Sequence, residues 1–379
     1  MTKDGFYVIY FAADEDLDPN DLIYTDLLLS IARRVVEQTT KDEINIGDAL
    51  KTVETWFAEV VFQESDWKTV EAELKGEAQL GLGLAEDLPL VGRLLARLTG
   101  QIKTGHEVKE QIRTKLDSRV SQLLVGLNDL LMRTEVEVHR KGMKGIAVIV
   151  DNLDRVTYKD LGNGRTSHDA LFIEHGDQLR ALRCHTVYTV PISMIYGLSA
   201  RNLDNIFTRR HVLPMIKTHE PRAKGGGDCV EGLARLREII GQRIDIGTLF
   251  GPEAVAHLCR ASGGHPRDLM RLVRQSIEDT DEGPPVTLAA VKRAESSLIS
   301  DFSRMIPEDY YGLLVAVSQT NEIKRDGDHQ KMLFSQSVLE YPKEADETEP
   351  WHDVHPAVQQ LKGFQEALKN ERARFTGEA

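Results

Sequence analysis

Two places in this sequence combine residue type and spacing in a way that suggests chemistry. The first is Gly145-Ile-Ala-Val-Ile-Val-Asp-Asn-Leu-Asp-Arg155, an apolar run that ends in carboxylates. It predicts a buried strand with Asp151 at its C-terminal tip. In open parallel sheets, ligands bind beyond that end of the strands. A carboxylate there suits Mg²⁺ held through water against nucleotide phosphates. The plainer reading is a strand followed by an Asx turn, since Asp and Asn favour turns unaided.

The second is Ser262-Gly-Gly-His-Pro-Arg-Asp-Leu-Met-Arg-Leu-Val-Arg274. Pro266 suits the first position of a helix, and Asp268 suits the positive end of its dipole. Leu269, Leu272 and Val273 mark an apolar stripe, and Arg267, Arg271 and Arg274 a basic face. Helical arginines ordinarily serve only as a solvated face. The functional alternative is that Arg267, at the helix entrance, reaches a phosphate.

Weaker signals surround these. Thr189 lies in a strand-like segment, Thr186 to Val190, where threonine is ordinarily only a β-former. Arg209 and Arg210 form a basic pair, for which a surface role is the default. His352 and His355 have a spacing that invites a metal, yet Val354-His-Pro356 reads as extended or turn and no cysteine partners lie nearby.

The elements that must position these residues alternate. Phe6 to Phe11 predicts a strand, and a helix begins near Asp21 with Leu27, Leu28, Ile31 and Val35 on one face. Val108, Ile112, Leu116, Val120, Leu123, Leu127 and Leu130 predict one long helix, ended by Gly142 and Gly145. An amphipathic helix, Leu171 to Leu182, leads to the Thr186 strand, and His211 to Ile216 is a fourth strand candidate. Strands separated by helices argue for an α/β fold with a parallel sheet. Lys224-Gly-Gly-Gly-Asp228 reads as a hinge, residues 231 to 280 as helical, and Asp281-Glu-Gly-Pro-Pro285 as a second linker. Beyond it the sequence predicts helices, a hairpin of Met332 to Tyr341 with Trp351 to Val354, and a final helix from about Ala357. The expected domains are residues 1–222, 223–283 and 284–379.

The 379 residues, 41% of them apolar, suffice for two or three domains. A formal net charge of −13 argues against a chain that coats nucleic acid over its whole surface. Three scattered cysteines predict reduced thiols, not staples or a zinc site. No apolar run is long enough to span a bilayer, and no signal peptide is apparent. The expectation is a cytoplasmic protein without a membrane partner.

The Asp151 segment resembles the Walker B motif of AAA+ and STAND ATPases, and Ser262–Arg267 resembles the sensor 2 segment of AAA+ proteins related to replication initiators. The resemblance implies an ATP·Mg²⁺ site in a P-loop NTPase-like sheet with helical insertions, then a helical lid and a winged-helix-like domain. It makes Asp151 the metal-associated carboxylate, Thr189 the sensor 1 candidate, Arg267 the lid arginine, and Arg209 or Arg210 an arginine finger acting in a homo-oligomer. Asn152 stands where many such enzymes carry a catalytic Glu; an amide orients a water but cannot take its proton, and Asp154 is one candidate substitute. The departure bears on hydrolysis, not on binding. No G-x-x-x-x-G-K-[ST] occurs; Gly76 to Gly92 is glycine-rich without it. The sequence is thus expected to start after the phosphate loop of a longer parent protein, whose N-terminal segment is one expected partner. The alternative is that the Thr186 and His211 strands pair directly. In replication-initiator relatives the winged helix binds DNA; here the acidic Lys343 to Glu349 disfavours phosphate contact, leaving a protein-interaction or packing role open. A scaffold that has kept the fold without the chemistry is the rival to an ATP-responsive switch.

Overall fold

A computed structural model describes residues 5–62, 64–79, 87–196, 200–280, 283–343 and 349–376. It is 64% helical and has small sheets. The chain forms two compact units, Met1–Arg210 and His211–Ala379.

The first unit is built on three parallel strands: β1 (Tyr7–Ala12), β2 (Ile146–Asp151) and β3 (His185–Tyr188), with β2 in the centre. The register runs from Tyr7 opposite Ile146 to Ala12 opposite Asp151, and Val150 lies opposite Tyr188. Tyr7, Ile9, Phe11, Ile146, Val148 and Val150 alternate onto a buried face. They share a core with Leu27, Leu28, Ile31 and Val35 of α1 (Tyr24–Lys41), all fully buried. The opposite face is not closed over: Tyr10 is 58% and Val187 51% exposed, with Ile149 half-buried between them.

Between β1 and β2 lie α1, α2 (Gly47–Trp56), α3 (Glu64–Gln79), α4 (Leu90–Thr104), α5 (His106–Ser118) and α6 (Val120–Arg140). The expected single long helix is thus two, broken at Arg119, where φ −130° and ψ 23° leave helical geometry. One reason is visible in the packing. Lys109 and Arg113, buried in α5, pair with Asp21, ahead of α1, and with Asp26 in its first turn, which is 1% exposed. The expected helix Leu171 to Leu182 is a π turn, Ala170–Glu174, followed by a helix Gly176–Arg180.

The second unit contains α7 (Val230–Gly241), α8 (Pro252–Ala261), α9 (Pro266–Glu278), α10 (Leu288–Met305), α11 (Tyr311–Thr320), α12 (Gly327–Phe334), the antiparallel pair β4 (Val338–Tyr341) and β5 (Trp351–Val354), and α13 (Lys362–Thr376). The expected hairpin is present. Every residue of both strands is buried, and Tyr341 stacks on Trp351 with ring centroids 4.3 Å apart. The acidic stretch Lys343–Glu349 falls largely outside the described residues.

His211 to Ile216 forms no strand. Leu213 is 87% exposed, and further along the amides bond within the second unit: Met215 N to Glu340 O at 2.8 Å and Ile216 N to Gly264 O at 3.1 Å. The Met215 and Ile216 amides are thus satisfied by single bonds to a strand and a turn, not by a ladder. The Lys224–Asp228 run closes a turn instead of hanging free: Glu220 N donates to Gly227 O at 2.8 Å, and Asp228 pairs with Arg260 at 2.6 Å. Residues 80–86 of the glycine-rich stretch Gly76 to Gly92, and residues 281–282 of the expected linker, lie outside the described residues.

Candidate functional site

At the C-terminal end of β2 the chain turns sharply, because Asn152 adopts a left-handed conformation with φ 60°. That conformation is tolerated by Asn better than by most residues. The turn returns the Asn152 amide to Asp151 Oδ1 at 2.8 Å, while Tyr10 donates its hydroxyl to Asp151 Oδ2 at 2.9 Å. Tyr10 comes from β1, one position before the residue level with Val150. The bond to Asp151 raises the Tyr10 pKa, since deprotonation would set two anions together.

A second carboxylate joins the site. Asp14, just beyond β1, accepts from Asn152 Nδ2 at 2.9 Å and from Arg155 Nη1 at 2.6 Å. The bond from Asn152, followed by the bond and charge of Arg155, lowers the Asp14 pKa. Thr189, past the end of β3, accepts from the Leu153 amide through Oγ1 at 3.1 Å. The ends of all three strands are thereby tied into one polar cluster of Tyr10, Asp14, Asp151, Asn152, Arg155 and Thr189. Sequence reading gathers Asp151, Asn152 and Thr189 but misses Tyr10, Asp14 and Arg155. The partnerships of Tyr10 and Asp14 span 141 and 138 residues, and no local pattern reports them. Asp154 follows in a short 3-10 turn, Leu153–Arg155. Among the described residues no group of three or more His, Cys, Asp or Glu side chains is arranged to hold a metal ion. Any cation here would rest on one or two carboxylates and water, a mode that suits Mg²⁺.

Arg209 and Arg210 are exposed, and Arg210 pairs with Asp204 at 3.3 Å. Arg267 belongs to the second unit, exposed in the first turn of α9. The motif around it is a structural joint. Ser262 Oγ donates to Cys259 O at 2.8 Å and accepts from the Gly264 amide at 3.1 Å, which closes the turn between α8 and α9. Gly264 has φ +80°, and a Cβ there would lie 1.7 Å from Ile216 O. Glycine is therefore required by conformation and by close backbone approach. Asp268 accepts from His265 Nδ1 at 2.8 Å and faces His355 Nε2 at 3.3 Å.

These histidines have assignable protons. His265 Nε2 faces the Gln336 amide nitrogen at 3.2 Å and must accept, so its proton is on Nδ1. His355 Nδ1 accepts from the Ala357 amide at 3.1 Å, so its proton is on Nε2. The Nδ1–H of His265 donates to the Asp268 carboxylate, and Nε2 of His355 is turned toward the same carboxylate at 3.3 Å. Burial pushes the Asp268 pKa up, but the bonds from His265 and His355 outweigh it and hold it well below the usual carboxylate range. Burial lowers the His355 pKa. His352, buried on β5, is pushed down to about 4 by burial, with a smaller contribution from His329. His352 and His355 therefore serve packing and capping.

No helix among the described residues is long and apolar enough to cross a membrane. Comparison with known proteins finds no matching family model, no matching curated protein and no matching solved structure.

Proposed function

We propose that this chain is the distal part of an ATP-responsive switch module of the AAA+/STAND type. The observation that carries the reading is Asp151 at the carboxyl end of the central strand of a parallel sheet, with Asn152 and Thr189 tied beside it. In the proposed role Asp151 holds Mg²⁺ of ATP through water, Asn152 orients rather than deprotonates a water, and Thr189 acts as sensor 1. Asp154 is the substitute base, Arg267 the lid contact, and Arg209 or Arg210 the finger offered to a neighbouring copy.

The incomplete sheet supports a further partner, the N-terminal segment of a longer parent. Parallel sheets are normally covered on both faces. Here one face is bare at Tyr10, Ile149 and Val187, and the outer edge of β3 has no strand partner among the described residues. The connections β1 to β2 and β2 to β3 step the same way across the sheet. Right-handed crossovers therefore put their helices on one face. A strand beside β3 that is joined to β1 must step the other way, and its helix would cover the bare face. A strand, phosphate loop and helix in that order would fill both vacancies and bring the missing lysine to Asp151.

The test is steady-state ATP hydrolysis and Mg·ATP binding by the chain alone. Weak or absent binding and no turnover are expected without the phosphate loop. Turnover that disappears in Asp151→Ala would overturn this reading.

The scaffold reading draws on the same cluster. Both Asp151 oxygens and both Asp14 oxygens already have protein partners. Undiminished partner binding by an Asp151→Ala, Arg267→Ala double variant would favour it. For the C-terminal region, a hairpin buried on both strands supports packing over a DNA-contacting wing. A salt-dependent shift of duplex DNA that needs residues 284–379 would reverse that preference.

A further inference from the structure

The first unit holds a cavity built by a helical hairpin that the carboxylate cluster does not use. Helices α4 and α5 meet at Gly105. Facing the cavity, α4 presents Leu94, Arg97, Leu98 and Gln101. From α5 come Val108, Gln111, Ile112 and Lys115. Each set has the i, i+3, i+4, i+7 spacing of a single helix face. Val61 and Phe62, with Val70 of α3, complete the walls of a space of about 160 Å³. A dry cavity of roughly 150 Å³ lined by aliphatic side chains is known to accept a benzene ring.

The lining is amphiphilic. Leu94, Leu98, Ile112 and Val61 are buried and supply apolar wall. Gln101, Gln111, Arg97 and Lys115 add two amides and two cations to the lining, with Gln111 and Lys115 reaching the surface. Arg97 is matched by Glu73 at 2.7 Å. Lys115 is not matched by a carboxylate among the described residues; its ammonium donates to the Val61 carbonyl at 2.7 Å. A cavity with apolar walls and one exposed ammonium in its lining that no carboxylate among the described residues neutralises is complementary to a small apolar body that ends in an anion.

We propose that this cavity binds a small amphiphilic carboxylate, a chain or ring of about six carbons, with its tail against Leu94, Leu98 and Ile112 and its carboxylate on Lys115. This inference does not depend on the nucleotide reading. The test is calorimetric titration of the full chain with sodium hexanoate, with 1-hexanol as the neutral comparator. Saturable hexanoate binding is expected, at least tenfold tighter than hexanol. Lys115→Gln, which keeps a donor for the Val61 carbonyl, should weaken hexanoate at least tenfold. Leu98→Phe, which fills the space, should abolish binding while the thermal midpoint stays at or above that of the parent chain. Absence of saturable heat, or hexanoate binding that survives either substitution in a folded variant, overturns the proposal.

Discussion

Gly264→Ala separates a structural from a nucleotide-linked role for the Ser262–Arg267 segment. An L-residue at φ +80° costs about 1–2 kcal/mol of backbone strain. The added Cβ would sit 1.7 Å from Ile216 O, where contact normally begins near 3.4 Å, so backbone must move. The movement breaks the Ile216 N to Gly264 O bond and loosens the Met215 N to Glu340 O bond, each worth about 1 kcal/mol net. The expected loss is about 3–4 kcal/mol in the second unit, a large share of the total stability of a typical domain. Gly226→Ala is the matched control: φ is +65°, but nothing lies within 4 Å of its Cβ, so only the strain remains. Amide hydrogen exchange at Met215 and Ile216 reads the difference directly. Exchange in Gly264→Ala should be at least about tenfold faster than in Gly226→Ala, since each 1.4 kcal/mol is a factor of ten. Equal exchange in the two variants would refute the clasp between Gly264 and Ile216.

Other outcomes follow from the same structure. Arg113→Ala leaves Asp26, 1% exposed, without its cation and should cost about 3–5 kcal/mol in denaturant unfolding of the first unit. His352 has its folded pKa depressed to about 4, so between about 6.5 and 4 the unfolded chain binds the extra proton. Stability therefore falls by about 3 kcal/mol as pH drops through that window and levels off below it; the urea midpoint against pH should show this, and His352→Gln should flatten it. Asp268, also depressed, contributes stability that is present above the ordinary aspartate pKa and starts to be lost below about 4, a separate decline that Asp268→Asn should remove. Tyr10→Phe removes one bond from Asp151 and should lower the temperature midpoint slightly, by the equivalent of about 1 kcal/mol.

The strands were legible where the apolar run is continuous. Phe6–Phe11 and Ile146–Val150 predict β1 and β2 to within a residue, because both runs are short and rich in β-branched or aromatic residues. The Thr186–Val190 strand ends earlier, at Tyr188, although the Thr189 amide still reaches Val150 O at 3.2 Å. His211–Ile216 has the same local character as a strand, but its partners are a turn and a hairpin encoded far along the chain. The break at Arg119 was hidden by an apolar stripe that continues through it; the buried Arg113 and Lys109, set within that stripe, were the unread signal. In the candidate site, Asp151 stood out because it terminates an apolar run. Tyr10 and Asp14 did not, because their roles come from strand order and register.

The passage of Met215 to Thr218 through the second unit governs how that unit is cut from the rest. Gly264 accommodates Ile216 O, and on the other side a Cβ at Gly232 would meet Lys217 O at 1.7 Å. The Thr218 carbonyl then accepts from the Cys229 amide at 2.9 Å, and His219 Nε2 reaches Asp353 at 2.8 Å. These residues occupy a slot carved for bare backbone. A fragment that starts at residue 223 would leave that slot empty and take the partners from the Glu340 and Gly264 carbonyls, the Cys229 amide and the Asp353 carboxylate, whereas one that starts at His211 carries its own wedge.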